Sequence, residues 1–359
     1  MEAGKEEIFC NRNWITILIP TFNRREYLRE TLNRLEMQTD KRFYVFISDN
    51  NSSYPVGEVI DSVDDDLKKR CYLKQRAMNI GASLNYLESL ACCKTKWVWM
   101  LADDDLVKEN AILNIYKALE ETDNPAILNF TLAYTMPFVD SKICLNDFQQ
   151  FVNLYYPSYK WKNSAWHGDL IFNSNKVYNM DVVGDYISFA IKYSYAEFPS
   201  VYLILKALEA NKNVYYVNER IVDYNDNSPR SWKVCETIQE SRILNDIPID
   251  ISNKLKRKVL LCISFKINTV YRLYYINREE GRRKKYFFEK MYYDLYKHIL
   301  PFYSRAYLKT ISILAKTKLG YYIVIFLFWT RFNKNVMKLK RNLHTGLKNK
   351  YNEIKGYTQ

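Results

Sequence analysis

Three consecutive carboxylates, Asp103, Asp104 and Asp105, follow directly on the apolar run from Trp97 to Ala102. A run of that kind reads as a buried strand. A strand ending in three carboxylates concentrates negative charge at one edge of a sheet, which is costly unless a cation or hydrogen-bond donors meet it. Ligands of open α/β sheets bind at the carboxyl ends of the strands. The triplet therefore reads as a site for a divalent metal and, through it, a phosphate-bearing substrate. The plainer alternative is a turn, or the N-cap of a following helix with Ala111, Ile112, Ile115 and Leu119 on one face. Three aspartates exceed what capping needs.

The elements that must position this cluster are legible upstream. Ile15–Ile19 is a β-rich run stopped by Pro20, and Leu28, Leu32 and Leu35 mark one face of a helix. Phe43–Ile47 is a second strand, ending in Ser48, Asp49, Asn50 and Asn51. A third run, Cys71–Leu73, precedes a loop with Asn79 and Gly81 and a helix through Leu84, Leu87 and Leu90. Strand and helix alternating at this spacing predict a parallel, right-handed βαβ sheet. These strands exit into polar residues, and the chain has neither G-x-G-x-x-G nor a Walker loop. That argues against a dinucleotide-dependent dehydrogenase or an ATPase. Further on, Pro125–Phe130, Val214–Val217 and Ile221–Tyr224 read as strands, and Glu197, Phe198 and Pro199 open a helix through Leu203, Leu205 and Leu208.

The 359 residues suffice for one large domain with an appendage, or for two domains. The net charge of +13 is unevenly spread: residues 251–359 hold 25 Lys+Arg against 5 Asp+Glu, and the rest hold 28 against 35. The basic excess belongs to the C-terminal third and points to an anionic membrane surface or a nucleic acid. Its Tyr and Phe residues could stack on bases, but no nucleic-acid-binding module is recognisable, so nucleic acid is not expected as a partner. The most apolar stretch, Leu319–Thr330, lies between Lys318 and Arg331. As a helix it spans about 18 Å, short of the roughly 30 Å hydrocarbon core. It is read either as a packed core helix or as an interfacial helix lying on a membrane.

Seven cysteines without a Cys-x-x-Cys pair, and three scattered histidines (His167, His298, His344), argue on spacing against a zinc site. Glu2, Glu6 and Glu7 with no apolar core after them do not resemble a secretory leader. Reduced thiols and a cytoplasmic location are the expectation.

Taken in order, Ile15-Thr-Ile-Leu-Ile-Pro-Thr-Phe-Asn-Arg24, Val45-Phe-Ile-Ser-Asp-Asn-Asn-Ser52, Asn79-Ile-Gly81 with Asn85, and Leu101-Ala-Asp-Asp-Asp105 resemble the inverting family 2 glycosyltransferases of bacterial surface-polysaccharide type. The likeness is firm over residues 14–110, looser to 232 and absent beyond. It implies an α/β GT-A fold: a Rossmann-like, mostly parallel sheet flanked by helices over residues 1–232. Residues 233–359 would form a basic, aromatic, helical region able to associate with a membrane.

The resemblance also implies roles. Pro20 and Thr21 would bed the base and ribose of a nucleotide-diphospho-sugar, with Arg24 nearby. Asp49 would accept a hydrogen bond from the base, and Asn79 and Gly81 would pass close to the nucleotide. Asp103 would lie near the ribose and share with Asp105 a metal, Mn²⁺ or Mg²⁺, bound to the diphosphate. Ala102 stands where many relatives carry a carboxylate, so Asp104 would share that duty. The catalytic base would be Glu197, where relatives often have an acidic pair; Asp169 beside His167 is the second candidate, and Asp185 ranks behind both. Arg230, in the loop Asn225–Trp232, would contact the phosphates. The expected acceptor is a saccharide on a membrane lipid, met at the inner face of the cell membrane in capsule, O-antigen or cell-wall assembly. The alternative is a catalytically silent scaffold in a glycan-assembly complex, against which the intact aspartates speak.

Overall fold

Alternating Ile15, Ile17 and Ile19 beside Phe43, Val45 and Ile47 give one face of a sheet that no water reaches, and helices must cover it. The computed structural model describes residues 11–131, 142–160, 170–194, 198–225 and 247–263, with Ser228, Lys297 and parts of 302–326. The first strands are β1 (Ile15–Thr21), β2 (Phe43–Asp49), β3 (Cys71–Gln75) and β4 (Trp97–Met100). Between them lie α1 (Arg25–Glu36), α2 (Gly57–Asp61), α3 (Asp65–Lys69) and α4 (Ala82–Cys92). After β4 come the two-residue β5 (Leu106–Val107), α5 (Ala111–Glu120), β6 (Ile127–Phe130), β7 (Lys142–Leu145) and α6 (Phe148–Lys160). Then follow β8 (Lys176–Asn179), α7 (Met180–Lys192), α8 (Pro199–Glu209), β9 (Val214–Val217), β10 (Val222–Asp223), α9 (Asn253–Ile263) and α10 (Phe302–Leu314).

Eight described strands form one sheet in the order β3-β2-β1-β4-β8-β6-β9-β7. Strands β3, β2, β1 and β4 are mutually parallel; β8 runs antiparallel between β4 and β6, and β7 antiparallel to β9. The sheet is thus mostly parallel and flanked by helices, as expected for the GT-A class. Because β2 and β4 lie on opposite sides of β1, the chain reverses direction of growth there, and the crevice at the carboxyl ends of β1 and β4 is a topological switch point. Leu28, Leu32 and Leu35 of α1 and Ile112 and Ile115 of α5 belong to the same core cluster as Ile17, Val45, Trp99 and Leu128. Helices α4, α7 and α8 pack against one another, and α4 also packs against β1 and β2.

One expectation needs correction, and one alternative reading falls away. Pro20 does not stop β1, which continues to Thr21 in register with Asp49 of β2. Leu18 O accepts from Leu101 N at 2.9 Å on the β4 side. Pro20, two residues on, faces the same side, where β4 pairing has already ended, so its missing N–H breaks no ladder bond. None of the three aspartates caps α5: β5 intervenes, and the N-cap position is Asn110. One compact unit comprises Met1–Trp232 together with Glu240–Ser264, and the other Lys233–Gln239 with Phe265–Gln359. Helix α9 joins the first unit because Val259, Leu260 and Ile263 are buried, and it packs on α6.

In the second unit, Leu319, Tyr322, Ile323 and Phe326 are exposed, as are Phe302, Tyr303, Ile313 and Leu314 of α10. The described part of 319–330 is therefore not a packed core helix. Among the described residues, no helix is long and apolar enough to cross a membrane.

Candidate functional site

The carboxyl ends of β1, β2, β3 and β4 bring four loops to one edge. Thr21 closes β1, and its hydroxyl donates to Asp103 Oδ2 at 2.6 Å, spanning the switch point. Thr31, on α1, donates its hydroxyl to the Asp103 carbonyl at 2.9 Å and pins the triplet's main chain. Arg24 Nη1 pairs with Asp104 and lies 3.5 Å from Asp103 Oδ1. Ser228 donates to Asp104 and lies 3.4 Å from Arg24 Nη1, so the loop after β10 reaches the carboxylates. Asp105 is held from the far side by Ser174, whose hydroxyl donates to Oδ2 at 2.5 Å.

Asp103 and Asp105 are buried, 5% and 3% exposed. Burial pushes both carboxyls up to about 7; the Thr21 hydroxyl and Arg24 partly relieve Asp103, the Ser174 hydroxyl partly relieves Asp105, and the charge of Asp104 works against both. Burial opposes the charge of Arg24, but Asp103 and Asp104 outweigh it and hold the guanidinium above its ordinary value. The edge thus carries more negative charge than its described cation offsets. Asp103 and Asp105 present hard oxygen donors of the kind that suit Mg²⁺ or Mn²⁺. Among the described residues, no three His, Cys, Asp or Glu side chains are grouped as a metal site.

On the other side of β1, Asp49 is buried at the end of β2 and accepts from Ser52 N at 2.9 Å through Oδ1. Asn50 knits two loops together: its Nδ2 donates to Asn79 Oδ1 at 2.8 Å, and its Oδ1 accepts from Ile80 N at 3.0 Å. Asn79 Oδ1 also accepts from Gly81 N at 2.9 Å. Gly81 enters α4 at φ +85°, a conformation that an added Cβ would strain although the space around it is open. Asn23 and Asn51, also at positive φ, complete the loops, with Ser53 N donating to Asn23 Oδ1 at 2.7 Å. Below them, Ser48, Asn85 and Ser89 form a buried network tying α4 to β2, and Arg76 Nε donates to Asn85 Oδ1 at 2.5 Å.

Pro20, Thr21, Arg24, Asp49, Asn79, Gly81, Asp103, Asp104 and Asp105 all come to this one edge. Glu197, Asp169 and Arg230 lie outside the described residues. Asp185 is exposed on α7. Sequence reasoning missed Thr31, Ser174 and Ser228. Ser174 stands 69 residues from the carboxylate it holds, and nothing in its neighbourhood forms a motif.

The family model "Glycosyl transferase family 2" matches residues 16–186. The abequosyltransferase RfbV of Salmonella typhimurium is 33% identical over 106 residues, 28% of this chain and 32% of its own. The GalNAc(5)-diNAcBac-PP-undecaprenol beta-1,3-glucosyltransferase of Campylobacter jejuni is 24% identical over 107 residues, 30% of this chain and 35% of its own. The matches thus span about a third of these relatives' lengths. The fold is shared with S. aureus TarS 1-349, solved in complex with UDP-GlcNAc, at a TM-score of 0.55 and 13% identity over 86% of this chain and 88% of that one. Over residues 16–186, this chain is similar to glycosyl transferase family 2.

Proposed function

We propose that this protein is an inverting, metal-dependent glycosyltransferase that moves a sugar from a nucleotide-diphospho-sugar to a saccharide acceptor on a membrane lipid, in bacterial surface-glycan assembly. The observation that carries this reading is the undercompensated carboxylate cluster of Asp103 and Asp105 at the switch point between β1 and β4, with Thr21 and Arg24 beside it. The names of two relatives, an abequosyltransferase and a glucosyltransferase of an undecaprenol-linked glycan, support the reaction class and the lipid-linked acceptor.

The chemistry follows from the residues. Asp49 receives the base, while Pro20, Thr21 and the Asn79–Gly81 turn border the nucleotide. Asp105, with Asp103, would hold Mn²⁺ or Mg²⁺, which when bound supplies positive charge to the diphosphate as it leaves. Arg24 and Arg230 add charge-assisted contacts to the phosphates. Glu197, two residues before α8, takes the proton from the acceptor hydroxyl. That oxygen then attacks the anomeric carbon from the face opposite the departing diphosphate, forming one C–O bond as the other breaks and inverting the configuration. Asp169 is the second candidate for this base.

Hydrolysis of UDP-, GDP-, dTDP- and CDP-sugars, measured with and without Mn²⁺, identifies the donor, and metal-independent turnover of all four would overturn the metal assignment. Glu197→Gln is expected to bind donor normally and to lose transfer by about 10²-fold or more. Full transfer by that variant would pass the base role to Asp169.

The exposed Leu319, Tyr322, Ile323 and Phe326, set in a segment with 25 basic residues against 5 acidic, support peripheral attachment to an anionic bilayer. Full-length protein is expected to float with phosphatidylglycerol vesicles at low salt and to be released at high salt. Absence from the vesicle fraction at low salt would remove the membrane step.

A further inference from the structure

We propose that Ser174 is a positioning residue that fixes the carboxylate of Asp105 and thereby sets the site's affinity for a divalent cation. The inference rests on the reading of Asp105 as a metal ligand.

A serine hydroxyl has one proton and two lone pairs. Ala102 N donates to Ser174 Oγ at 2.8 Å, so one lone pair is committed and the proton is left to point at Asp105 Oδ2, 2.5 Å away. The bond therefore has a fixed direction: Ser174 donates and Asp105 accepts. One carboxylate oxygen is engaged, and rotation about the Asp105 side chain is restrained.

Ser174 can impose this because its own main chain is anchored on three sides. Its carbonyl accepts from Trp99 Nε1 at 2.7 Å, and Trp99 is wholly buried in β4, the strand that delivers the aspartates. The next residue exchanges two bonds with β6: Asn175 Nδ2 donates to Phe130 O at 2.6 Å, and Phe130 N donates to Asn175 O at 2.8 Å. The turn closes through Lys176 N and Asn173 O at 3.3 Å, and β8 then runs antiparallel between β4 and β6. Antiparallel β8 thus begins at the edge where the parallel strands end, which lets a residue 69 positions away reach Asp105.

The backbone of Ala102 also acquires a use. The position holds no carboxylate, but its N–H orients the hydroxyl that orients Asp105. Hydrogen-bond partners of metal-ligating carboxylates typically govern metal affinity by about 10- to 100-fold.

The test is Mn²⁺ binding to the full chain, read from the free-Mn²⁺ electron paramagnetic resonance signal, for the metal alone and with UDP, GDP, dTDP or CDP. Ser174→Ala is expected to weaken Mn²⁺ binding by about 10- to 100-fold, and Ser174→Thr, which keeps the hydroxyl, to restore most of it. Thermal unfolding of each metal-free variant is measured in parallel. A Ser174→Ala protein that unfolds at lower temperature but binds Mn²⁺ like the parent has lost only a structural bond, and the proposal fails. If Ser174→Ala is too unstable to measure, Ser174→Cys keeps the volume with a weaker donor and is expected to show the same loss of affinity. Asp105→Asn separates the two readings: if it alone loses Mn²⁺, the metal site stands and the role of Ser174 falls. If it binds like the parent, the assignment of Asp105 falls, and the proposal with it.

Discussion

The Asp105→Asn variant is expected to lose at least about 10³-fold in sugar transfer while remaining folded, because the substitution removes charge and little else. A metal that polarises a leaving diphosphate contributes several kcal/mol to the barrier, and each 1.36 kcal/mol is a factor of about ten. Asparagine keeps an oxygen where Ser174 donates at 2.5 Å, so the buried contact survives. The measurement pairs steady-state transfer with thermal unfolding of the metal-free protein. Lost activity with a collapsed unfolding temperature would make Asp105 a structural residue, and retained metal-dependent activity would move the ligand role to Asp103 or Asp104.

The second large effect is a stability that falls as pH rises. Burial holds the carboxyls of Asp103 and Asp105 at about 7, against an ordinary 3.8. The folded protein therefore retains protons that the unfolded chain releases between about pH 4 and pH 7. For a group whose folded pKa is raised, the associated stability is fully present below the unfolded pKa and lost as pH climbs through the folded one. A proton retained over three pH units corresponds to roughly 4 kcal/mol. That is an unfolding-temperature difference on the order of 10 °C for a domain of this size. Other carboxyls work in the opposite sense, among them Asp40, held below its ordinary value by Arg42 against the pull of burial, so the informative quantity is the difference from Asp105→Asn. Without metal, the parent is expected to lose stability relative to Asp105→Asn between about pH 4 and pH 7. Adding Mn²⁺ at pH 8 is expected to restore the parent and leave the variant unchanged. Parallel pH curves for the two proteins would show that the charge of Asp105 is compensated without a cation.

The two expectations together describe a site that trades stability for chemistry. Two carboxylates buried at a sheet edge are unfavourable in the protein alone. Arg24 answers part of that charge and is itself held by Asp103 and Asp104. The Ser174 and Thr21 hydroxyls fix the orientation of Asp105 and Asp103 without neutralising them. A buried ionic partner there would have made a more stable and less useful edge.

The local pattern of the chain determined the parallel half of the fold. In β1, β2 and β4, short apolar runs flanked by helices of 3.6-residue period specify both element type and burial, since each strand is covered on two faces. The polar exits of those strands and of β3 likewise marked Thr21, Asp49, Asn79 and Asp103–Asp105 in advance, because a strand's last residue and its loop are contiguous in sequence.

What the sequence could not disclose lies beyond β5. Strand β8 is four residues long and opens with Lys176, a fully buried lysine that no periodicity would place in a core. Its ammonium is accepted by the carbonyl of Phe172 and the side chain of Asn175, partners that only the turn supplies. Ser174 and Ser228 meet the aspartates across 69 and 124 residues, and such contacts leave no spacing to read. The sequence by itself thus placed the carboxylates at the end of a strand. Only the tertiary structure decided that β1 and β4 would be neighbours, that an antiparallel strand would bring a hydroxyl to Asp105, and that burial would leave the pair holding its protons near neutrality.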